Sequence, residues 1–176
     1  MKRWIFCIVA LLVLGCSTNS SVSRSGALDV GAKWALLPMT NHTDTPQAAL
    51  SAETITEHLL RLRGVGNLVR YPATLSRDTL FEPSERRVVD EAQKWAHEQG
   101  ARYGISGSVE EWRYKVGIDG EPAVGITLQV IDLDSSAVVW SSSGAKSGWS
   151  RDALSLVAHK LLETLLGDLP VSAQSR

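Results

Sequence analysis

Any chemistry in this 176-residue chain must come from a small set of side chains. Gly104-Ile105-Ser106-Gly107 begins like a nucleophile elbow, the strained turn that raises a serine Oγ for acyl transfer. That pattern needs a glycine at 108, where Ser108 stands inside an expected strand. Gly64-Val65-Gly66 lacks the third glycine of a dinucleotide loop, and no GxxxxGK phosphate loop followed by Ser or Thr occurs. His42, His58, His97 and His159 are dispersed, and none pairs with another at metal-ligand spacing. Three of them, His58, His97 and His159, fall on expected helices as exposed or boundary residues. Glu110-Glu111 lies in an expected strand, where alternation sends the two side chains to opposite faces and so excludes a carboxylate pair. No triad, dyad or metal set converges, so these residues predict no catalysis, no metal and no cofactor.

Cys16 is the exception, because its surroundings prescribe a reaction. Lys2 and Arg3 precede an apolar run from Trp4 to Leu14, about eleven residues long, the proportions of a signal-peptide core and too short for the roughly 20 residues of a spanning helix. The run ends at Val13-Leu14-Gly15-Cys16, which resembles the lipobox of bacterial lipoproteins. That resemblance implies diacylation of the Cys16 thiol, cleavage before it and acylation of the new amine. The alternative is a plain secretory signal cut at Ala10 or Gly15, leaving Cys16 a free thiol. Two or more acyl chains anchor stably where one does so only marginally. Ser17 occupies the sorting position, and the absence of an aspartate there favours the outer membrane over inner-membrane retention.

Cys7 leaves with the signal and Cys16 becomes the lipidated first residue, so the domain that follows holds no disulfide and no thiolate metal site. The chain carries 18 Lys and Arg against 19 Asp and Glu, a net charge of −1, which becomes −3 once Lys2 and Arg3 leave with the signal. A mildly acidic protein lacks the basic footprint of a nucleic-acid binder. With 44% hydrophobic residues it has the material for one buried core.

The elements that must position these residues follow from periodicity. Residues 1–15 read as signal peptide, 16–26 as the lipidated cysteine and a polar flexible tether, 27–170 as one α/β domain and 171–176 as a disordered tail. Lys33 to Met39 predicts a buried strand; Ser51 caps a helix to Arg63; Asn67 to Tyr71 is a short strand; Ser84 caps a helix to Gln99. The period then falls to two over Tyr103 to Val116, Ala123 to Leu133 and Ala137 to Ser143, joined by turns at Gly117 to Pro122 and Asp134 to Ser136. A last amphipathic helix runs from after Ser150 to Leu166. The order is βαβαβββα, a single α/β sandwich with a mixed sheet and helices packed on it.

The strand, Asn- and Thr-rich loop and helix of Trp34-Ala35-Leu36-Leu37-Pro38-Met39-Thr40-Asn41-His42-Thr43-Asp44-Thr45-Pro46-Gln47-Ala48 resemble the opening of the PelC family of outer-membrane lipoproteins. More broadly they are similar to periplasmic domains like the TolB amino-terminal domain, CsgG and LpoB. The likeness continues through Leu68-Val69-Arg70-Tyr71, Tyr103-Gly104-Ile105-Ser106-Gly107, the long hairpin and Ser147-Gly148-Trp149. It implies a non-catalytic lipoprotein of Pel exopolysaccharide export: a dodecameric ring facing the periplasm, held to the inner leaflet of the outer membrane, beside the β-barrel porin PelB. An acidic surface of that ring would guide the cationic polymer. An LpoB-like activator of a peptidoglycan synthase is the alternative, set against by a tether of about ten residues, which reaches only ~33 Å. A CsgG-like channel needs lipid-facing strands of 9 to 11 residues, and no expected hairpin supplies them.

Two features of the sequence bear on that resemblance. Trp34, Trp95 and Trp140 sit in apolar patterns and read as core, whereas Trp149 stands between Gly148 and Ser150 outside any periodic element. It is either a membrane-interface residue or a staple packed on the last helix, and the family resemblance favours the membrane. Asp119 and Glu121 occupy the first hairpin tip, and Asp132 and Asp134 extend an acidic stretch that a ring would multiply around one axis.

Overall fold

The computed structural model describes residues 23–24, 26–72, 85–116 and 120–172. In chain order they form β1 (Ser23–Arg24), β2 (Leu28–Asp29), β3 (Trp34–Asn41), α1 (Ala48–Leu62), β4 (Leu68–Arg70), α2 (Glu85–Glu98), β5 (Tyr103–Tyr114), β6 (Pro122–Asp132), β7 (Ala137–Ser147), α3 (Leu154–Gly167) and β8 (Val171–Ser172). The main sheet has the order β1-β7-β6-β5-β3-β4, parallel where β3 meets β4 and β5, antiparallel from β5 through β7 to β1. This is the expected βαβαβββα sandwich with three two-residue strands added.

Those additions correct the sequence reading at both ends. Ser23 and Arg24, placed in the tether, pair with Ser141 and Trp140, and Val171 and Ser172, placed in the tail, pair in parallel with Leu28 and Asp29. The backbone groups of an edge strand seek partners whether or not the neighbouring side chains are apolar, so hydropathy alone does not reveal such pairing.

Alternation along the strands builds two cores. Trp34, Ile105, Ile126, Leu128 and Trp140 face α1 and α3 on the first face, where Leu60, Leu161 and Leu165 complete a cluster closed to solvent. Each such side chain contributes about 1.5–3 kcal/mol by burial. On the second face, Ala35, Leu37, Ile131 and Leu133 meet Ala92 and Ala96 of α2, and Trp95 packs edge-on against Tyr71 at 5.3 Å. Gly107 lies where a Cβ would come within 2.0 Å of the Thr127 carbonyl oxygen, so only glycine lets β5 and β6 approach there.

Two irregularities shape the surface. Pro38 has no N–H to donate, and the β3–β5 register shifts between Leu36 and Met39. The Ser106 hydroxyl donates to the Pro38 carbonyl (2.7 Å), and the Met39 N–H donates to buried Glu53 Oε1 (3.0 Å). The second shift lies between Val109 and Glu111, where Glu110 is the extra residue opposite β6.

Helix starts also differ. α1 begins three residues before Ser51, with Gln47 as an N-cap in the left-handed region (φ 62°) and no side-chain cap. α3 starts from extended Ala153, not Ser150. The expected cap Ser84 lies outside the described residues.

Candidate functional site

Strand β6 separates two differently built ends of the molecule. At its start, the Gly148 N–H donates to the Pro122 carbonyl (2.9 Å) and the Lys115 N–H to that of Glu121 (2.7 Å), which ties the β5–β6 hairpin to the end of β7. Gly148 is pressed against Val157, leaving no room for a Cβ. The Trp149 N–H donates to Asp152 Oδ2 (2.9 Å), and the residue is 81% exposed. An indole this exposed makes little of the contact that a staple on the last helix requires. Fully exposed Val116 and half-exposed Tyr114, whose Oη accepts the Leu154 N–H (3.1 Å), lie at the same end. β1, traced toward its N-terminus, points along β7 toward Ser147.

At the far end of β6, Asp132 Oδ1 accepts the N–H groups of Asp134 (3.2 Å) and Ser135 (3.1 Å), as a turn-forming aspartate does. The Asp134 side chain is 71% exposed, 3.9 Å from His97 Nε2. Eleven residue steps of about 3.3 Å place Glu121 and Asp132 ~36 Å apart along the strand direction. The expected single acidic stretch is thus divided between two ends, because an antiparallel hairpin pair puts consecutive turns on opposite edges. Asp119 lies outside the described residues, as do Cys16 and Ser17.

Between these ends, on the second face, is an arrangement that strand alternation concealed. The Val109/Glu111 bulge brings the Cβ atoms of both Glu110 and Glu111 to one side, 3.6 and 3.4 Å from where a Cβ on Gly125 would sit. This overturns their assignment to opposite faces: a bulge sets two residues against one and suspends the alternation. Glu110 Oε2 lies 2.9 Å from His42 Nδ1, and Oε1 accepts from the Ser108 hydroxyl at 2.5 Å. The Ser108 hydroxyl and then the His42 ring hold the Glu110 carboxyl below the usual carboxylate range, against a smaller opposing push from burial. Glu111 Oε1 accepts from Arg113 Nε at 2.9 Å. With Asp44, Thr45 and Ala145, the residues His42, Glu110, Glu111 and Arg113 line an open cleft of about 480 Å³. The Thr45 hydroxyl donates to the Trp112 carbonyl and fixes the loop before α1 against β5. No local signal announces a β-bulge here; the sequence offered only the adjacent glutamates.

The histidines are less dispersed than the sequence suggested. His58 of α1 and His159 of α3 have ring centroids 6.2 Å apart, brought together by helix packing rather than by spacing. Among the described residues, no three His, Cys, Asp or Glu side chains gather as a metal site. No described helix is long and apolar enough to cross a membrane.

These features define an α/β sandwich whose distinctive surfaces are an aromatic end, a charged end and an open sheet cleft. No protein-family model and no curated protein matches the chain. Among solved structures, it is 40% identical to the PelC dodecamer from Paraburkholderia phytofirmans, over 89% of this chain and 99% of that one, with a TM-score of 0.75. A single-substitution variant of that dodecamer, in a second crystal form, matches at the same identity and TM-score over 100% of its length. Lipoprotein GNA1162 from Neisseria meningitidis shares the fold at 13% identity and a TM-score of 0.56, covering 77% of this chain and 96% of that one. The chain belongs to the PelC family.

Proposed function

We propose that the protein is a lipid-anchored, non-catalytic subunit of a dodecameric ring that guides the cationic Pel polysaccharide to the outer-membrane porin PelB. The observation carrying this reading is 40% identity, across 89% of the chain, to a protein whose solved form is a dodecamer. Trp149, exposed and outside the core, suits the membrane interface, where an apolar ring with one N–H donor is favoured. Its neighbours Tyr114 and Val116 add apolar surface at that end.

The anchor fits the same orientation. From Ser23, opposite Ser141, to the level of Ser147 is about 20 Å along β7. The seven residue steps from Ser23 back to Cys16 allow a reach of up to about 23 Å. Lipid on Cys16 and the Trp149 indole then meet one bilayer leaflet.

This orientation gives the acidic residues different positions. Glu121, with Asp119 in the same hairpin, belongs to the rim near the membrane; Asp134, supported by the Asp132 turn, belongs to the periplasmic rim. Repetition around an axis turns one carboxylate per subunit into a ring of charge that steers a cation, as charged rings do in pores. Substituting Asp134→Lys in a strain dependent on this protein should reduce polymer export while protein abundance stays unchanged. Undiminished export would remove Asp134 from the guiding surface, and the same comparison with Glu121→Lys and Asp119→Lys tests the membrane rim.

A further inference from the structure

The two edges of β7 are unequally paired. Its inner edge pairs with β6 as far as Ser147, whereas among the described residues its outer edge meets β1 at Trp140 and Ser141 alone. The outward N–H and C=O groups between Ser142 and Ser147 therefore form an open row, a template for a further strand that proteins blunt with proline, charge or a bulge. Ser142-Ser143-Gly144-Ala145-Lys146-Ser147 has no proline and one charge, and the register shift of the β6–β7 pair lies at the other end, between Val130 and Ile131.

The chain before Ser23 has the direction, length and composition to fill that row. β1 is antiparallel to β7, with Ser23 opposite Ser141 and Arg24 opposite Trp140. Continued one for one, this register sets Val22 against Ser142, Ser17 against Ser147 and Cys16 against Gly148. Ser17-Thr18-Asn19-Ser20-Ser21-Val22 holds no proline, glycine or charge. Its one large apolar residue, Val22, falls on the face where Trp140 and Ser142 are buried, since directly opposed residues of an antiparallel pair share a face.

We propose that in the anchored protein Ser17 to Val22 continue β1 as an edge strand along β7 and seat the lipidated Cys16 beside Gly148 and Trp149. The inference rests on the lipid anchor proposed above and adds what holds it in place. The flexible tether expected from composition becomes a strand of fixed length, and Cys16 lies one strand spacing, about 4.8 Å, from Gly148. Acyl chains and indole then enter the leaflet as one unit, which sets the height of the domain. Because the segment is joined to β1, it meets the open edge at an effective concentration that a separate strand does not reach.

Disulfide closure reads this register, because the lipidated chain has no free thiol of its own. In the full chain, exported and lipidated in cells, Asn19→Cys with Ala145→Cys and, separately, Thr18→Cys with Lys146→Cys make in-register pairs on opposite faces. Consecutive pairs alternate between Cα separations of about 4.5 and 5.5 Å, both within disulfide reach. Asn19→Cys with Ser147→Cys is two residues out of register, beyond the roughly 7 Å that a disulfide spans. After membrane fractionation and denaturation, free thiols are labelled with a polyethylene-glycol maleimide, the unsubstituted chain giving the baseline. The expected result is loss of free thiols within single chains for both in-register pairs, with the offset pair fully labelled. Membrane-held chains whose in-register thiols stay free overturn the strand and leave the anchor standing. Closure of the offset pair as readily as the others also overturns it, and disulfide-linked dimers overturn it by placing a second copy on the edge. Closed in-register pairs in chains that leave the membrane fraction support the strand and overturn the anchor.

Discussion

The two tryptophans Trp140 and Trp149 are nine residues apart and have opposite environments. Trp140 is fully buried beneath α3, with the alternation of β7 pointing it inward; Trp149 follows the glycine that lets the chain close on Val157, donates its backbone N–H to Asp152 and is exposed. One residue type therefore fills a core in one position and is available for recognition in the other. In this fold, burial marks residues that hold the sandwich together, and exposed apolar surface at one sheet end marks where it meets something else.

The largest difference should appear in stability. Trp140→Ala removes a fully buried side chain and is expected to cost about 3–5 kcal/mol, while Trp149→Ala stays within about 0.5 kcal/mol. Denaturant unfolding of both variants checks this, and a large loss for Trp149→Ala would mean that its indole packs against the domain. In a strain dependent on this protein the order should reverse among folded variants, with Trp149→Ala weakening polymer export at unchanged protein abundance.

A smaller stability effect tests the loop that leads into α1. Glu53 is buried, accepts the Met39 N–H and pairs with Arg70 Nη2 at 2.9 Å, so Glu53→Ala leaves a ladder donor and a guanidinium without their partner. The expected cost is about 2–3 kcal/mol, measured by the same unfolding. Glu57→Ala, a looser partner of the same arginine at 3.6 Å, should cost well under half of that.

The smallest effect concerns pH. Glu110 has its carboxyl lowered in the folded state, so the stability it contributes is present above the ordinary carboxylate range and is lost as the pH falls through its folded value. Glu110→Gln should flatten the acid limb of the stability curve slightly and leave the neutral value nearly unchanged. An unaltered acid limb would show that the Ser108 and His42 contacts to Glu110 are not maintained in solution.

Much of this organisation was legible in the sequence because it depends on local periodicity. The three long strands, the three helices and the buried Trp34 and Trp140 follow from apolar spacing, and the family resemblance rests on Trp34 to Ala48 taken with the lipobox, the length and the Gly148-Trp149 step. What was hidden depends on partners distant in the chain. Glu110 and Glu111 share a face only because β6 offers one residue against two, and His58 meets His159 only through helix packing. The split of the acidic residues between the ends of β6 is likewise a property of the hairpins, which charge counting along the chain does not distinguish from one patch. Ser23–Arg24 and Val171–Ser172 were read as tether and tail because strand edges recruit backbone without an apolar signature.

The ring is the premise on which one carboxylate and one indole per subunit become a charged pore and an aromatic belt. Native mass spectrometry of the mature Cys16→Ser chain tests it most directly. The account predicts a species of twelve subunits; a monomer at micromolar and higher concentration would contradict it.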